Sequence, residues 1–158
     1  MRGGCKVNQL RRQLTLGLTL AAAAISSRAA APNPMVEVWT GPECDCCKAW
    51  VKHLEANGFR TKVHDGGNTE ARLSLGMPIG FGGCHSARVS GYAIEGHVPV
   101  REIKRLLTER PSGVGLAVPG MPRGSPGMDG PEFKGVRDPF EVFLVQRDGS
   151  SRVYQAYP

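Results

Sequence analysis

The sequence predicts an α/β fold, and three observations support this prediction. The segment MVEVW (35–39) alternates apolar and polar side chains, as a half-buried strand does. The apolar spacing then becomes helical, with one stripe formed by Cys47, Trp50, Val51 and Leu54. Strand and helix patterns continue to alternate beyond it, which favours helices packed on a sheet.

The boundaries of the next elements have clear local signals. The first helix starts at Cys44 and ends at Asn57 and Gly58, because glycine suits a left-handed cap. The segment FRTKVHD (59–65) has the composition of a second strand, and a short helix is predicted from about Asn68 up to Pro78. We therefore expect a β-α-β-α order in this half of the chain.

A hairpin and a third helix follow. SARV and YAIEGHV flank the turn residues Ser90 and Gly91, which predicts two antiparallel strands. Pro99 opens a helical pattern that ends at Pro111, with Ile103 and neighbouring leucines on its apolar face. The resulting order, β-α-β-α-β-β-α, is the layout of a thioredoxin-like core.

The C-terminal part is predicted to extend this core. Residues 113–135 are rich in glycine, proline and methionine and show no periodicity, which is typical of a loop. The last residues predict a hairpin that turns at Asp148 and Gly149.

The first 31 residues have the pattern of a cleavable export signal. A basic start precedes an apolar run from Leu14 to Ile25, and small residues allow cleavage after about Ala29 or Ala31. The run is shorter than the about 20 apolar residues that span a bilayer. The adjacent arginines at positions 11 and 12 are compatible with export by the twin-arginine route and by general secretion. The mature protein is therefore expected in the periplasm, without a membrane segment.

Loss of the signal changes the charge of the protein. Five basic residues and no acidic ones leave with it, so the formal charge of +6 falls to near +1. No basic run interleaved with aromatic residues appears in the remainder, which argues against a nucleic-acid partner. Residues 32–158 are long enough for one compact domain and are predicted to form one.

The cysteines carry most of the functional information. Cys44, Cys46, Cys47 and Cys84 remain in the mature chain, and four cysteines in an exported protein are compatible with two structural disulfides. The adjacent pair 46–47 makes tidy pairing difficult. Cys44 and Cys47 also form CxxC at a helix N-terminus, a position that favours the thiolate and suits dithiol redox chemistry.

Two features favour metal binding over dithiol chemistry. Cys46 places a third sulfur inside the CxxC motif, where it would exchange with any disulfide. Thioredoxin-like oxidoreductases have a cis-proline before the third strand, whereas this chain has Cys84 and His85 there. The topology brings that pair to the first helix, and crowded thiolates repel one another unless cations lie between them.

The donor set favours copper. Cys44, Cys47, Cys84 and His85 could hold one tetrahedral zinc ion, but Cys46 would then have no role. Three sulfurs within one helical turn diverge by about 100° per residue, which favours a multinuclear cluster with bridging sulfurs. Soft thiolates select Cu(I) among other metals.

Three further residues are candidates for additional ligands or for groups that hold the ligands in place. Met121 and Met128 offer thioethers that Cu(I) accepts, although methionine also fills gaps in cores. His97 ends a strand, and a purely structural role is the main alternative to a role at the metal. His85 is interpreted either as a ligand or as a group that orients one.

Three blocks together resemble a known family: GPECDCCKAWVKHLEANGF, GGCHSARVSGYAIEGHVPVREIKRLLTERP and GLAVPGMPRGSPGM. They are similar to the small exported copper-resistance proteins of the CopG type. This resemblance implies a thioredoxin-like fold whose cysteines, here Cys44, Cys46, Cys47 and Cys84 with His85 beside them, bridge a multinuclear copper cluster. It also implies a role in periplasmic copper handling, with interconversion of Cu(I) and Cu(II). Asp45 departs from the family pattern, because glycine is expected there.

The sequence therefore predicts an exported protein of copper resistance that holds Cu(I) in a cysteine-bridged multinuclear cluster and cycles it between Cu(I) and Cu(II). Other periplasmic copper-handling proteins are candidate partners. Whether it is also an enzyme, through copper redox activity, is left open by the residues. The main alternative is a periplasmic thiol-disulfide oxidoreductase that uses Cys44 and Cys47. A structural disulfide domain that serves as an interaction module is a third interpretation.

Overall fold

A computed structural model of the chain describes residues 34–158. The predicted export signal, residues 1–31, lies outside the described residues. Among those described, no helix is both long enough and apolar enough to cross a membrane.

The described chain is a mixed α/β structure, so the predicted fold class is confirmed. Its strands are β1 (Met35–Thr40), β2 (Arg60–His64), β3 (His85–Val89), β4 (Tyr92–Glu95), β5 (Gly115–Ala117), β6 (Phe140–Val145) and β7 (Ser151–Tyr157). Its helices are α1 (Asp45–Ala56), α2 (Thr69–Ser74) and α3 (Val100–Glu109), with short 3-10 turns at Ile79–Phe81 and Pro131–Phe133.

All seven strands belong to one sheet, in the order β2-β1-β3-β4-β5-β6-β7. The pairs β1–β2 and β4–β5 are parallel, and the remaining neighbours are antiparallel. Thr40, the last residue of β1, pairs with His85, the first residue of β3. The segments that follow β1 and precede β3 therefore meet at the same end of the sheet.

The prediction of an unstructured segment at 113–135 is wrong in part, because this segment contains β5. The strand has only three residues, too few to show a period. Gly115 is required by the close approach of β4, since a Cβ there would lie 1.7 Å from the carbonyl oxygen of Ala93. The predicted C-terminal hairpin, β6–β7, thus continues the main sheet through β5.

The main core lies between the sheet and helices α1 and α3. Trp50 and Leu54 of α1 and Ile103 and Leu106 of α3 are fully buried, as the predicted apolar stripes require. Trp50 also donates its indole N–H to the carbonyl oxygen of Val98 at 2.9 Å. Truncating a buried leucine or isoleucine to alanine costs about 2–5 kcal/mol, so these contacts fix α1 firmly on the sheet.

Candidate metal centre

The N-terminus of α1 presents three sulfurs within one turn. Cys44 is the N-cap residue, and its carbonyl oxygen accepts a hydrogen bond from the backbone N–H of Lys48 at 3.1 Å. Cys47 lies one turn on and is fully buried, whereas Cys44 and Cys46 are half-buried. Local helix geometry alone therefore gathers three sulfurs at this point.

The fourth sulfur comes from the segment before β3. The Sγ of Cys84 lies 3.8 Å from that of Cys46, and Cys46 lies 3.5 Å from Cys44. The Sγ atoms of all four cysteines lie within 4.8 Å of one another. The predicted convergence of the two segments is therefore present in the structure.

The redox state of the cluster differs from the expectation of four free thiolates. Cys44 and Cys47 form a disulfide, while Cys46 and Cys84 are free. The CxxC spacing permits this bond because the two Cα atoms lie 5.2 Å apart, within the usual range for disulfides. Two of the four predicted sulfur ligands are thus held in a bond that must be reduced before they can act as thiolates.

Cys84 has an environment that favours the protonated thiol. Burial, reinforced by the neighbouring Cys46, raises the pKa of Cys84 to about 12. A thiol with this pKa stays protonated at neutral pH unless a cation takes the place of the proton. Metal binding at Cys84 would therefore release a proton.

His97 faces Cys84 with one ring nitrogen. Its Nε2 lies 3.0 Å from the Sγ of Cys84, and its Nδ1 lies 2.8 Å from the carbonyl oxygen of Pro126. A carbonyl can only accept, so Nδ1 carries the hydrogen and Nε2 presents its lone pair to Cys84. Burial lowers the pKa of His97, which keeps the ring neutral. The ring is thus already in the tautomer that a metal ligand needs.

His85 fills the space between Trp50 and His97. Its ring centroid is 4.3 Å from that of Trp50 and 5.0 Å from that of His97, and its Nδ1 is 3.4 Å from the Sγ of Cys84. Burial lowers the pKa of His85 to about 3. Its buried Nε2 has no hydrogen-bond partner, a condition that costs about 1–3 kcal/mol.

The glycine-rich segment after β5 covers this centre. A Cβ at Gly127 would lie 2.6 Å from the carbonyl oxygen of Cys46 and 2.9 Å from the amide nitrogen of Trp50. Glycine is therefore needed for the segment to lie against α1. Of the two candidate thioethers, Met128 is buried within this segment and Met121 is 53% exposed.

A buried ion pair, missed by the sequence analysis, holds the segment that carries Cys84. Glu95 is 1% exposed, and its Oε1 accepts hydrogen bonds from Arg72 at 2.9 Å and from the backbone N–H of Gly83 at 2.8 Å. Arg72 also donates to the carbonyl oxygen of Gly83 at 2.7 Å. Burial raises the pKa of Glu95, and the hydrogen bonds from Ser86, Gly83 and Arg72 oppose that rise.

The hairpin itself contains a signal that could have located His97. Val89 pairs with Tyr92 and Ser86 pairs with Glu95, so the same register extended outwards sets Cys84 opposite His97. A signal for Glu95 is its position in the strand YAIE, where all four residues are buried. A charged residue in a buried strand requires a partner, and here that partner is Arg72.

Comparisons with known proteins point to one family. A family model described as "Protein of unknown function, DUF411" matches residues 81–128. Two solved structures, "Copper resistance protein copG- Form 1" and "Copper resistance protein copG- Form 2", are similar to this chain. Each is 41% identical to it in sequence and superposes on it with a TM-score of 0.72. Each alignment covers 80% of this chain, and 98% and 99% of the respective solved chains. A search of curated proteins gave no match. The identity, its extent and the cysteine cluster together establish that the chain belongs to the CopG family of copper-resistance proteins.

Proposed function

We propose that this chain is an exported copper-binding protein that acts in copper resistance by holding Cu(I) in a multinuclear cluster bridged by cysteine sulfurs. The observation that carries the proposal is the gathering of Cys44, Cys46, Cys47 and Cys84 within 4.8 Å. The named relatives are copper resistance proteins, which supports copper as the cargo.

The chemistry of the donor set supports Cu(I) in particular. Thiolates and neutral imidazoles are soft or borderline ligands that Cu(I) accepts. Cys84 touches both kinds of donor, because Cys46 lies 3.8 Å from its sulfur and His97 lies 3.0 Å from it. Met121 and Met128 are proposed as thioether ligands for copper on its way into or out of the centre.

We propose that Cys46 shares ions with two neighbouring sulfurs. Two thiolates on one tetrahedral ion, with metal–sulfur bonds of about 2.3 Å, stand about 3.8 Å apart. The separations from Cys44 to Cys46 and from Cys46 to Cys84, 3.5 and 3.8 Å, are both close to this value. Cys46 is therefore placed to bridge one ion shared with Cys44 and another shared with Cys84.

Copper redox cycling is the finer part of the proposal. The thiolates of Cys44 and Cys47 each give one electron to a Cu(II) ion, which yields two Cu(I) ions and one disulfide. The disulfide between these residues supports their role as a two-electron couple. Reduction of the disulfide by a dithiol would restore both ligands.

The cellular setting and the fold type belong to the same proposal. Residues 32–158 would form one thioredoxin-like domain that acts in the periplasm after removal of residues 1–31. The order of the first seven main elements and the neighbouring positions β2-β1-β3-β4 in the sheet support this assignment. Its partners would be copper ions and other periplasmic copper-handling proteins.

Counting copper tests this proposal. The metal-free mature protein is fully reduced, loaded anaerobically with Cu(I) and freed of excess metal, and copper per chain is measured. We expect more than one Cu(I) per chain and copper–copper scattering in X-ray absorption. One ion or less per chain, without such scattering, would contradict the cluster. Copper content after anaerobic purification from the periplasm provides the physiological check.

One observation favours a second function, that of a thiol-disulfide oxidoreductase. The bond between Cys44 and Cys47 lies at the N-terminus of α1, the usual place for a redox-active CxxC. This alternative predicts that metal-free protein turns over disulfide substrates. Cys44→Ser would abolish that turnover and Cys84→Ser would leave it intact, whereas binding of the full number of copper ions depends on both residues.

A further inference from the structure

We propose that oxidation of the Cys44–Cys47 pair switches the chain to a second binding state, in which Cys84, His85 and His97 hold a single Cu(I). This inference rests on the proposed copper function and adds a redox-controlled change in capacity. The reduced chain would carry several ions, and the oxidised chain would retain one.

The disulfide divides the donors into two groups. Cys44 and Cys47 are tied to each other, which removes two of the four thiolates from metal binding. Cys84 stays free, and its sulfur lies close to two imidazole nitrogens. The three donor atoms of Cys84, His85 and His97 all lie within 4.8 Å of one another while the disulfide is formed. Oxidation therefore leaves one complete group of ligands.

The distances within this group suit one ion. A thiolate and an imidazole bound to the same tetrahedral ion at about 2.3 and 2.0 Å stand about 3.5 Å apart. The Sγ of Cys84 lies 3.4 Å from the Nδ1 of His85 and 3.0 Å from the Nε2 of His97. Only small movements of the side chains are needed to admit an ion.

Parts of the fold that do not depend on the cysteine pair hold these ligands. His97 donates a hydrogen bond to the carbonyl oxygen of Pro126. Gly83, next to Cys84, forms hydrogen bonds with Arg72 and Glu95. A Cβ at Gly83 would lie 2.7 Å from the Cα of Gly96, so two glycines let the segments on either side of the hairpin approach. These contacts do not involve the sulfurs of Cys44 and Cys47, so we expect the group to keep its geometry when that pair is reduced.

The oxidation step is a thiol-disulfide exchange. One thiolate of the pair attacks a disulfide oxidant and displaces a thiolate, and the second thiolate then displaces the other thiolate and closes the Cys44–Cys47 bond. Two electrons pass from the cysteine pair to the oxidant, which leaves as two thiolates that take up protons from water. Ions that depended on Cys44 or Cys47 are released, and the ion on Cys84 remains.

The test compares copper capacity in the two redox states. Metal-free reduced protein is oxidised with glutathione disulfide, and alkylation with mass spectrometry locates the disulfide. Both forms are then titrated with Cu(I) in the presence of the chelator bicinchoninate. We expect one Cu(I) per oxidised chain, more than one per reduced chain, and free thiols only at Cys46 and Cys84 in the oxidised form.

Matched variants identify the ligands. His97→Gln should weaken copper binding by the oxidised chain at least tenfold. His64→Gln should leave it unchanged. His64 lies in β2, which pairs with the edge of β1 opposite to β3, and it forms a hydrogen bond with Glu37. A Cys44→Ser/Cys47→Ser double variant should bind one Cu(I) without any oxidant. It also keeps the test valid if His97→Gln fails to fold.

Each outcome separates this inference from the proposed function. An oxidised chain that binds no copper, or a disulfide that forms between Cys46 and Cys84, would overturn the inference while a multinuclear reduced form still stood. The inference would also be overturned if the folded His97→Gln variant and a Cys84→Ser variant both kept the retained ion. A reduced chain that binds one ion or less, without copper–copper scattering, would instead defeat the proposed function.

Discussion

The two segments that meet at the metal centre are built in opposite ways. Cys44, Cys46 and Cys47 come together through one turn of helix, and their side chains can exchange bonds among themselves. Cys84 and His97 lie thirteen residues apart and meet through hairpin pairing, close glycine contacts and a buried ion pair. The first segment is suited to changing its redox state, and the second is suited to holding one geometry.

Copper affinity and the number of copper ions bound should therefore depend on different segments. The second segment provides a sulfur and two neutral imidazoles in fixed positions, so it should dominate affinity. The first segment provides sulfurs whose availability depends on the disulfide, so it should dominate the number of ions bound. Substitutions in either segment should therefore change copper binding in different ways.

Cys84→Ser should have the largest effect on copper binding. Cys84 is the sulfur that contacts Cys46, His85 and His97, so its loss removes the link between the two segments. We expect copper affinity to fall by more than the roughly 10–100-fold that loss of an outer-shell partner costs. Competition with bicinchoninate measures the affinity. An equal or smaller effect than that of Cys44→Ser would reverse the assigned roles.

Glu95→Ala should have the largest effect on stability. It removes one partner of the buried Arg72–Glu95 pair and should lower the free energy of unfolding by about 3–5 kcal/mol. It should also weaken copper binding, because Gly83 loses a hydrogen bond. Denaturant titration measures the stability, and Glu109→Ala, at the exposed Arg105–Glu109 pair, is the control with a much smaller expected effect. Similar losses in both variants would show that the buried pair has no special role.

Gly127→Ala should separate the covering segment from α1. Its new Cβ would meet Cys46 and Trp50 backbone atoms, which adds an overpacking cost of about 1–3 kcal/mol to the cost of a positive φ. Gly135→Ala is the matched control, since Gly135 also has a positive φ but no heavy atom within 4 Å of the added Cβ. Thermal unfolding should show a clearly larger loss for Gly127→Ala, and equal losses would mean that the segment does not press on α1.

Met121→Leu should have the smallest effect. Its side chain is 53% exposed, so we expect the number of Cu(I) ions per chain to stay the same and the rate of copper uptake from bicinchoninate to fall by well under an order of magnitude. Stopped-flow absorbance measures the rate. Leu73→Met, at another exposed position, is the control. A lower ion count in Met121→Leu would make Met121 a permanent ligand.

Local patterns account for what the sequence predicted well. The stripe of Trp50 and Leu54, the hairpin at Ser90 and Gly91 and the helix after Pro99 all depend on residues close in the chain. The meeting of Cys84 with the first helix followed from the predicted topology. The first three features needed no information about distant packing, and the fourth needed only the order of the elements.

The remaining features depend on contacts between distant segments. The residues near position 115 contain no local signal for a strand. The three residues of β5 are extended because they pair with β4 on one side and β6 on the other. Arg72 shows no local sign that it will reach Glu95, and Pro126 shows none that it will fix His97. Whether Cys44 and Cys47 bond to each other depends on redox conditions as well as on spacing.

X-ray absorption on the fully reduced protein loaded with Cu(I) reports which atoms surround copper, and so it decides whether the two segments share the metal. We expect a shell dominated by sulfur, a copper–copper contribution, and loss of that contribution in Cys84→Ser. A shell of nitrogen and oxygen alone, or a spectrum that Cys84→Ser leaves unchanged, would contradict the joining of the two segments around copper.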